Sequence, residues 1–120
     1  MDPRRALGTD GERLAEHALA KHGLRTVARN ARTRWGEIDL VCREARGYVF
    51  VEVKTRRHGS FVSALEAVDR RKAERLARLA IAWLAARGER DAAWRLALAA
   101  VTLEGGTATV EFVALDDLAG

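Results

Sequence analysis

The sequence predicts a single α/β domain over residues 1–120, with a central mixed β-sheet flanked by helices in the order αβββαββ. Three observations carry that expectation. Two segments repeat their apolar residues at helical spacing, five shorter ones read as strands, and turn residues fall between them. A chain of 120 residues is long enough to bury a core without disulfide or metal staples, and too short for a second domain.

In "GTDGERLAEHALAKHG", Leu14, Ala15, Ala18 and Leu19 recur at helical spacing, with Asp10 as N-cap and Gly23 as stop, so the first helix is expected at about 10–22. A short strand near 24–30, a polar turn and a strand over 36–43 follow from "LRTVARNARTRWGEIDLVCRE". "GYVFVEVKTR" supplies a further strand over 48–56. "SALEAVDRRKAERLARLAIAWLAARGE" reads as the longest helix, with Leu65, Val68, Leu76, Leu79 and Trp83 along one stripe and Ser63 as cap. "AWRLALAAVTLEGGTATVEFVAL" closes the chain as two strands joined at Gly105-Gly106, a hairpin signal.

Composition narrows the function classes. With 48% hydrophobic and 32% charged residues the chain has the balance of a soluble globular protein. Cys42 is its only cysteine, which excludes a disulfide framework and a cysteine-based zinc site and suits a reducing cytosol. No apolar run approaches the roughly 18 to 20 residues of a membrane span, and "MDPRRALGTDGE" lacks a secretory apolar stretch. A cytoplasmic protein with no membrane partner is expected. The net charge of +4 suggests an acidic partner, nucleic acid above all. That charge is nearly all arginine: of 21 basic residues only Lys21, Lys54 and Lys72 are lysines, a bias that genome composition would also produce.

Residues 36–56, "GEIDLVCREARGYVFVEVKTR", set charges into strands. If Arg43 lies opposite Tyr48 in an antiparallel hairpin, Asp39 lies opposite Glu52 and Glu37 opposite Lys54, with Ile38, Leu40 and Cys42 sharing the other face with Val49, Val51 and Val53. A slip of one residue would mix the faces. Directly opposed side chains have Cβ atoms roughly 4.5 to 5.5 Å apart, where like charges destabilise, so two carboxylates there need a cation. A balanced, solvent-facing sheet surface presents the same alternation. Phe50 and Val41, however, share the face of the charges, and Lys, unlike Arg, can shift its pKa and serve beside a reacting water.

Asp39, a hairpin turn, then Glu52-Val53-Lys54 resembles the PD-(D/E)XK, or restriction-endonuclease-like, nuclease superfamily. "GxxGExxA" at Gly8, Gly11, Glu12 and Ala15, "RN" at Arg29 and Asn30, "GEIDL" at 36–40, "VFVEVKTR" at 49–56 and "EAV…K" at 66–72 together resemble the YraN-like family of small bacterial proteins within it. The likeness covers about residues 8–85 and extends to archaeal Holliday-junction resolvases, which share a Glu in helix one. Ile38 stands where the superfamily name has Pro, Phe61-Val62 where Phe-Gly is usual, and Arg95-Leu96-Ala97 where Arg-Phe-Asp is usual.

The resemblance implies a restriction-endonuclease-like fold and a catalytic set of Glu12, Asp39, Glu52 and Lys54. Asp39 and Glu52 would be metal ligands together with the backbone carbonyl of Val53, a hard oxygen set suited to Mg or Mn. Lys54 would orient or deprotonate the attacking water, Glu12 would complete the acidic cluster, and Glu37 would position Lys54 through a salt bridge. Arg56 and Arg57 follow the motif strand and are placed to contact DNA. Arg71, Arg75 and Arg78 form a basic stripe that suits a phosphate backbone or, with Glu74 alongside, a solvated helix face; Lys72 could reach the sheet from above. The function expected is metal-dependent hydrolysis of phosphodiester bonds in DNA, branched DNA by analogy. The alternatives are a nucleic-acid-binding module without turnover and a protein-interaction domain. Symmetric cutting of a junction would need a homodimer, and a protein partner could supply specificity.

Overall fold

In the computed structural model, which describes residues 3–57 and 69–115 without the side chains of residues 3–9 and 57, the chain opens on helix α1, Pro3–Lys21. The helix begins a full seven residues before the expected Asp10 cap, which therefore lies inside it. Pro3 explains the earlier start, because a proline at the first helical position has a preset φ and lacks only an N–H that would be unpaired anyway. The end falls where Gly23 predicts it. Gly23 has φ +82; its N–H donates to the Ala20 carbonyl at 3.0 Å and that of Leu24 to Leu19 at 3.1 Å, which closes the last helical turn.

Five strands follow: β1 (Arg25–Thr33), β2 (Gly36–Glu44), β3 (Gly47–Arg57), β4 (Trp94–Glu104) and β5 (Thr107–Ala114), with helix α2 (Arg70–Ala86) between β3 and β4. They form one sheet in the order β1-β2-β3-β4-β5. The pairs β1/β2, β2/β3 and β4/β5 are antiparallel, whereas β3/β4 is parallel because the chain returns through α2 to start β4 beside the start of β3. The mixed sheet and the order αβββαββ are those the sequence predicts, and Gly105-Gly106 makes the β4–β5 turn.

Helix α2 starts at Asp69, whose carboxylate accepts the Arg71 N–H at 2.9 Å. Ser63, the cap expected from sequence, lies outside the described residues, as do Leu65 and Val68. Among the described residues α1, at 19 residues, is longer than α2, at 17. The stripe on α2 is Ala73, Leu76, Leu79, Ala80, Trp83 and Leu84, all buried against the sheet. No described helix is long and apolar enough to cross a membrane.

The two helices cover opposite faces of the sheet. Under α2 lie Ile38, Val41, Tyr48, Phe50, Leu96 and Leu98; under α1, with Ala15 and Leu19, lie Leu40, Cys42, Val49, Val51, Ala97, Ala99 and Val101. Both faces of β2 and β3 are thus apolar, whereas the sequence reading had one apolar face and one charged. The expectation that Ile38 shares the face of Leu40 fails for a local reason. Asn30, opposite Asp39 between the Arg29↔Leu40 and Ala31↔Ile38 pairs, has φ +49, and this left-handed residue breaks the alternation at the edge of the sheet. Ile38 turns under α2 while Leu40 stays under α1.

Tyr48, Phe50 and Trp83 form the densest part of the α2 core, with Trp83 meeting the two rings edge-on at centroid distances of 5.3 and 5.7 Å. The start of β3 is pressed just as closely on its backbone side. Gly47 has φ +149, and a Cβ built there would overlap the Ala93 carbonyl, while the neighbouring Tyr48 N–H donates to that same carbonyl at 2.9 Å. Gly47→Ala should therefore strain the junction of β3 with β4 and cost about 1–3 kcal/mol, read as a lower urea midpoint with unchanged slope. An unchanged midpoint would mean that the close approach carries no energetic weight.

Candidate functional site

The β2–β3 ladder follows the register deduced from the alternation, from Glu44↔Gly47 through Arg43↔Tyr48 to Leu40↔Val51. There the described pairing ends. In place of a further backbone partner, the Asp39 carboxylate accepts the Val53 N–H at 2.8 Å, and β3 runs on alone beside β4 to Arg57. An N–H at a parting of strands must find an acceptor, and a short side-chain carboxylate supplies it. The strands separate here, and the charged residues line the gap.

Asp39 is half-buried, and several effects meet on it. Burial raises its pKa above the ordinary carboxyl value, the negative charges of Glu52 and Glu37 raise it further, and the Val53 N–H and the Arg75 guanidinium hold it down. Glu37, Asp39 and Glu52 line one small cleft with Arg75, Leu76 and Leu79 of α2. Its volume is about 20 Å³, room for one water-sized sphere. Glu12 comes from α1, on the other face of the sheet. Its carboxyl is raised first by burial and then by the charges of Asp39 and Glu37, and is lowered by a hydrogen bond from Asn30. The acidic residues therefore form an arc around the open end of β2, with Glu12 at one end and Glu52 at the other.

On β3 the next residue of the same face, Lys54, belongs to a different neighbourhood. Its pKa is lowered chiefly by the ammonium of Lys72, which lies beside it from the first turn of α2, then by burial and by Arg56, against the opposing charge of Glu52. Arg56 is half-buried, and its Nε is buried with no hydrogen-bond partner among the described residues. Lys54, Arg56 and Lys72 make a cationic cluster directly beyond the carboxylates. The side chain of Arg57 lies outside the described residues. Two like charges held together across a strand and a helix are costly, as are the carboxylates next to them. Each group gains from a ligand that carries the opposite charge.

The expected pairing of Glu37 with Lys54 is not what forms. Glu37 is exposed and lies opposite Arg32 on the other side of β2, because the strands part before the ladder reaches it. Arg71, Arg75 and Arg78 are exposed along α2, where the backbone N–H of Arg71 closes the Asp69 cap and Arg75 also lines the acidic cleft. Asn30 is the functional neighbour to which the sequence reading gave no role, and Arg75, expected on the phosphate-binding stripe, is also a neighbour of Asp39. The Arg29-Asn30 pair was visible as a motif, but only the left-handed backbone at Asn30 aims its amide at Glu12. Among the described residues no three His, Cys, Asp or Glu side chains stand close enough to hold a metal by themselves. Cys42 is buried at the far end of β2, its thiol pushed up to about 11 by burial, and is remote in chemistry from a ligand or nucleophile.

The raised Asp39 carboxyl has a consequence for stability. A carboxyl whose folded pKa exceeds its unfolded value binds its proton more tightly when folded, so its contribution falls as pH rises from the ordinary value of 3.8 through the raised one. Asp39→Asn removes the charge and keeps an oxygen for the Val53 N–H. In EDTA the variant should be more stable than the wild type at pH 7, with an advantage that shrinks as the pH falls toward 3.8, as followed by thermal melts. A variant less stable at pH 7 would mean that the hydrogen bond outweighs the repulsion.

The calcium complex of Pyrococcus furiosus SfsA aligns with a TM-score of 0.42 at 17% identity, over 92% of this chain and 62% of that one, so the chain spans less than two thirds of SfsA. UPF0102 proteins of Nocardia farcinica, Anaeromyxobacter dehalogenans and Halorhodospira halophila are 48%, 43% and 50% identical over 92, 110 and 84 residues. Those alignments cover 77%, 92% and 70% of this chain and 70%, 82% and 69% of the relatives. Residues 11–101, which hold the whole acidic arc and the cationic cluster, match the family described as "Uncharacterised protein family UPF0102". The chain belongs to UPF0102, the YraN-like family.

Proposed function

We propose that this protein is a metal-dependent endonuclease that hydrolyses phosphodiester bonds in DNA, with branched DNA as the favoured substrate. The observation that carries the reading is the meeting of Asp39 and Glu52 in one small cleft immediately beside the Lys54–Lys72 pair. A nucleic-acid-binding module has use for the cations but none for converging carboxylates, which repel phosphate.

The donor set fits Mg²⁺ or Mn²⁺. Asp39, Glu52 and the Val53 carbonyl would hold the ion as hard oxygen donors, and a small divalent ion that keeps several waters needs only one or two carboxylates. The repulsion around Asp39 favours such an ion. When bound, it supplies Lewis acidity toward the phosphate oxygens and a more acidic water. The chain supplies the rest. Lys54, its pKa lowered by Lys72, orients the attacking water and takes its proton. Lys72 and Arg56 hold the phosphate against Lys54, and their positive charges offset the negative charge that builds there. Glu12, itself raised by burial and by Asp39, completes the acidic arc through water. The preference for branched DNA rests on likeness to the archaeal junction resolvases.

Two measurements test this. Mn²⁺ should raise the melting temperature by mass action in the wild type and not in Asp39→Asn; equal shifts in both would remove Asp39 from the site. Four-way junctions, flaps, single strands and linear duplex are then incubated with Mg²⁺ or Mn²⁺. Cleavage of at least one is expected, slowed about 10²- to 10⁴-fold by Lys54→Ala and lost in Glu52→Ala. Salt-sensitive binding without cleavage would support a module without turnover, and neither binding nor cleavage a protein-interaction domain.

A further inference from the structure

Arg75 and Leu79 line the acidic cleft on one side and, on the other, an open groove of about 930 Å³ between α2 and the β1–β2 turn. The groove has apolar walls, from Trp35, Ile81 and Trp94, and its charged groups are Arg75, Arg78 and Arg90, with no Asp or Glu in its described lining. Trp35 is 67% exposed and Ile81 55%, so two large apolar side chains stand in water where the fold has no use for them. Trp35 is nevertheless held. Its backbone N–H donates to Thr33 Oγ1 at 3.1 Å, the Thr33 hydroxyl donates to the Gly36 carbonyl at 2.9 Å, and the Arg34 guanidinium lies 5.3 Å from the indole centroid. The turn is a tied loop that carries an indole into solvent.

An exposed indole and an apolar wall rimmed by three guanidiniums together select an aromatic group that carries negative charge. A nucleotide has both parts: a base with a π-face to lay on Trp35 and a phosphate for the arginines. The base must be unpaired, because in a duplex its faces are covered by its neighbours and only edges are offered. An apolar peptide would leave three arginines without partners. A second copy of the chain would bring another net charge of +4 toward them.

We propose that this groove binds an unpaired nucleotide of a single-stranded nucleic-acid segment, its base stacked on Trp35 and its phosphates on Arg75, Arg78 and Arg90, and leads that strand past Arg75 into the Asp39–Glu52 cleft. The delivery step rests on the nuclease reading; the binding does not.

The test is made in EDTA, so that turnover plays no part. Labelled oligothymidylate and a duplex of the same length are titrated with the protein and followed by anisotropy. The single strand should bind more tightly than the duplex. Trp35→Ala should weaken single-strand binding on the order of 5- to 150-fold and leave duplex binding nearly unchanged, whereas Trp35→Phe, which keeps a π-face, should retain most of it. Arg78→Gln should weaken binding and lessen its salt dependence. Thermal melts show whether each variant is folded. Equal binding of both nucleic acids, untouched by Trp35→Ala, would overturn the proposal, as would a dimer in sedimentation that Trp35→Ala dissolves while oligothymidylate binding persists. Trp35-dependent binding without cleavage in Mn²⁺ sinks only the nuclease reading. Cleavage of single strands that is indifferent to Trp35→Ala sinks only this one.

Discussion

The carboxylate of Asp39, by accepting the Val53 N–H, decides where β2 lets go of β3. Everything chemically notable in the protein lies at or just past that point. Were the ladder to continue, Glu52 and Lys54 would face a neighbouring strand, and the gap that admits Arg75 from above would close. The bond is also the reason that a half-buried carboxylate is tolerated, since it returns part of what desolvation and the charges of Glu52 and Glu37 take away. One short side chain thus ends a strand pair and opens a site.

The sheet can tolerate that opening because both of its faces are covered. Val49 and Val51 pack under α1, Phe50 under α2, each with its side chain fully buried, so β3 is anchored on both sides before it reaches the gap. Burial of such side chains is worth about 1.5–3 kcal/mol each. Beyond the gap β3 is still held by its parallel pairing with β4, out to Arg57↔Leu103. Lys54 and Arg56 therefore stand on a rigid strand, and Lys72 meets them from the first turn of α2, whose start is set by the Asp69 cap. α1 approaches from the opposite face. Gly11 lets it lie against Thr55, where any Cβ would collide with the hydroxyl, and that contact brings Glu12 to the acidic end.

The electrostatic layout follows from these placements. Carboxylates gather where β2 parts from β3, ammonium and guanidinium groups just beyond them where β3 meets the first turn of α2, and Arg75 stands between the acidic cleft and the apolar groove carrying Trp35. Each cluster is repulsive within itself, which a folded chain accepts only when other contacts hold the backbone in place. A divalent cation and a phosphate are the complementary pair of ligands that would relieve both at once. The groove beyond Arg75 adds an apolar, basic approach to the same point.

Much of this was legible in the chain itself. Alternation in "GEIDLVCREARGYVFVEVK" settled the parity of the hairpin register, since a one-residue slip would have mixed the faces whereas a slip of two would not, and Gly23 and Gly105-Gly106 marked turns because few other residues adopt their backbone angles. Asp39, Glu52 and Lys54 stood out because like charges opposed in a strand pair repel and because their spacing resembles a nuclease motif. What sequence could not decide was where periodicity breaks. The left-handed Asn30 turns Ile38 away from the face of Leu40, and the described β2–β3 pairing stops at Leu40↔Val51, before Glu37 would come opposite Lys54. Local spacing put Arg71, Arg75 and Arg78 on one stripe, but only the packing of α2 against the sheet brings Arg75 to the acidic cleft. Trp35 carried no periodic signal at all, and only the closure of its turn over Leu79 of α2 makes it the wall of a groove. Strand pattern is a property of neighbours along the chain; which charges meet is set by long-range packing, and only the folded structure contains it.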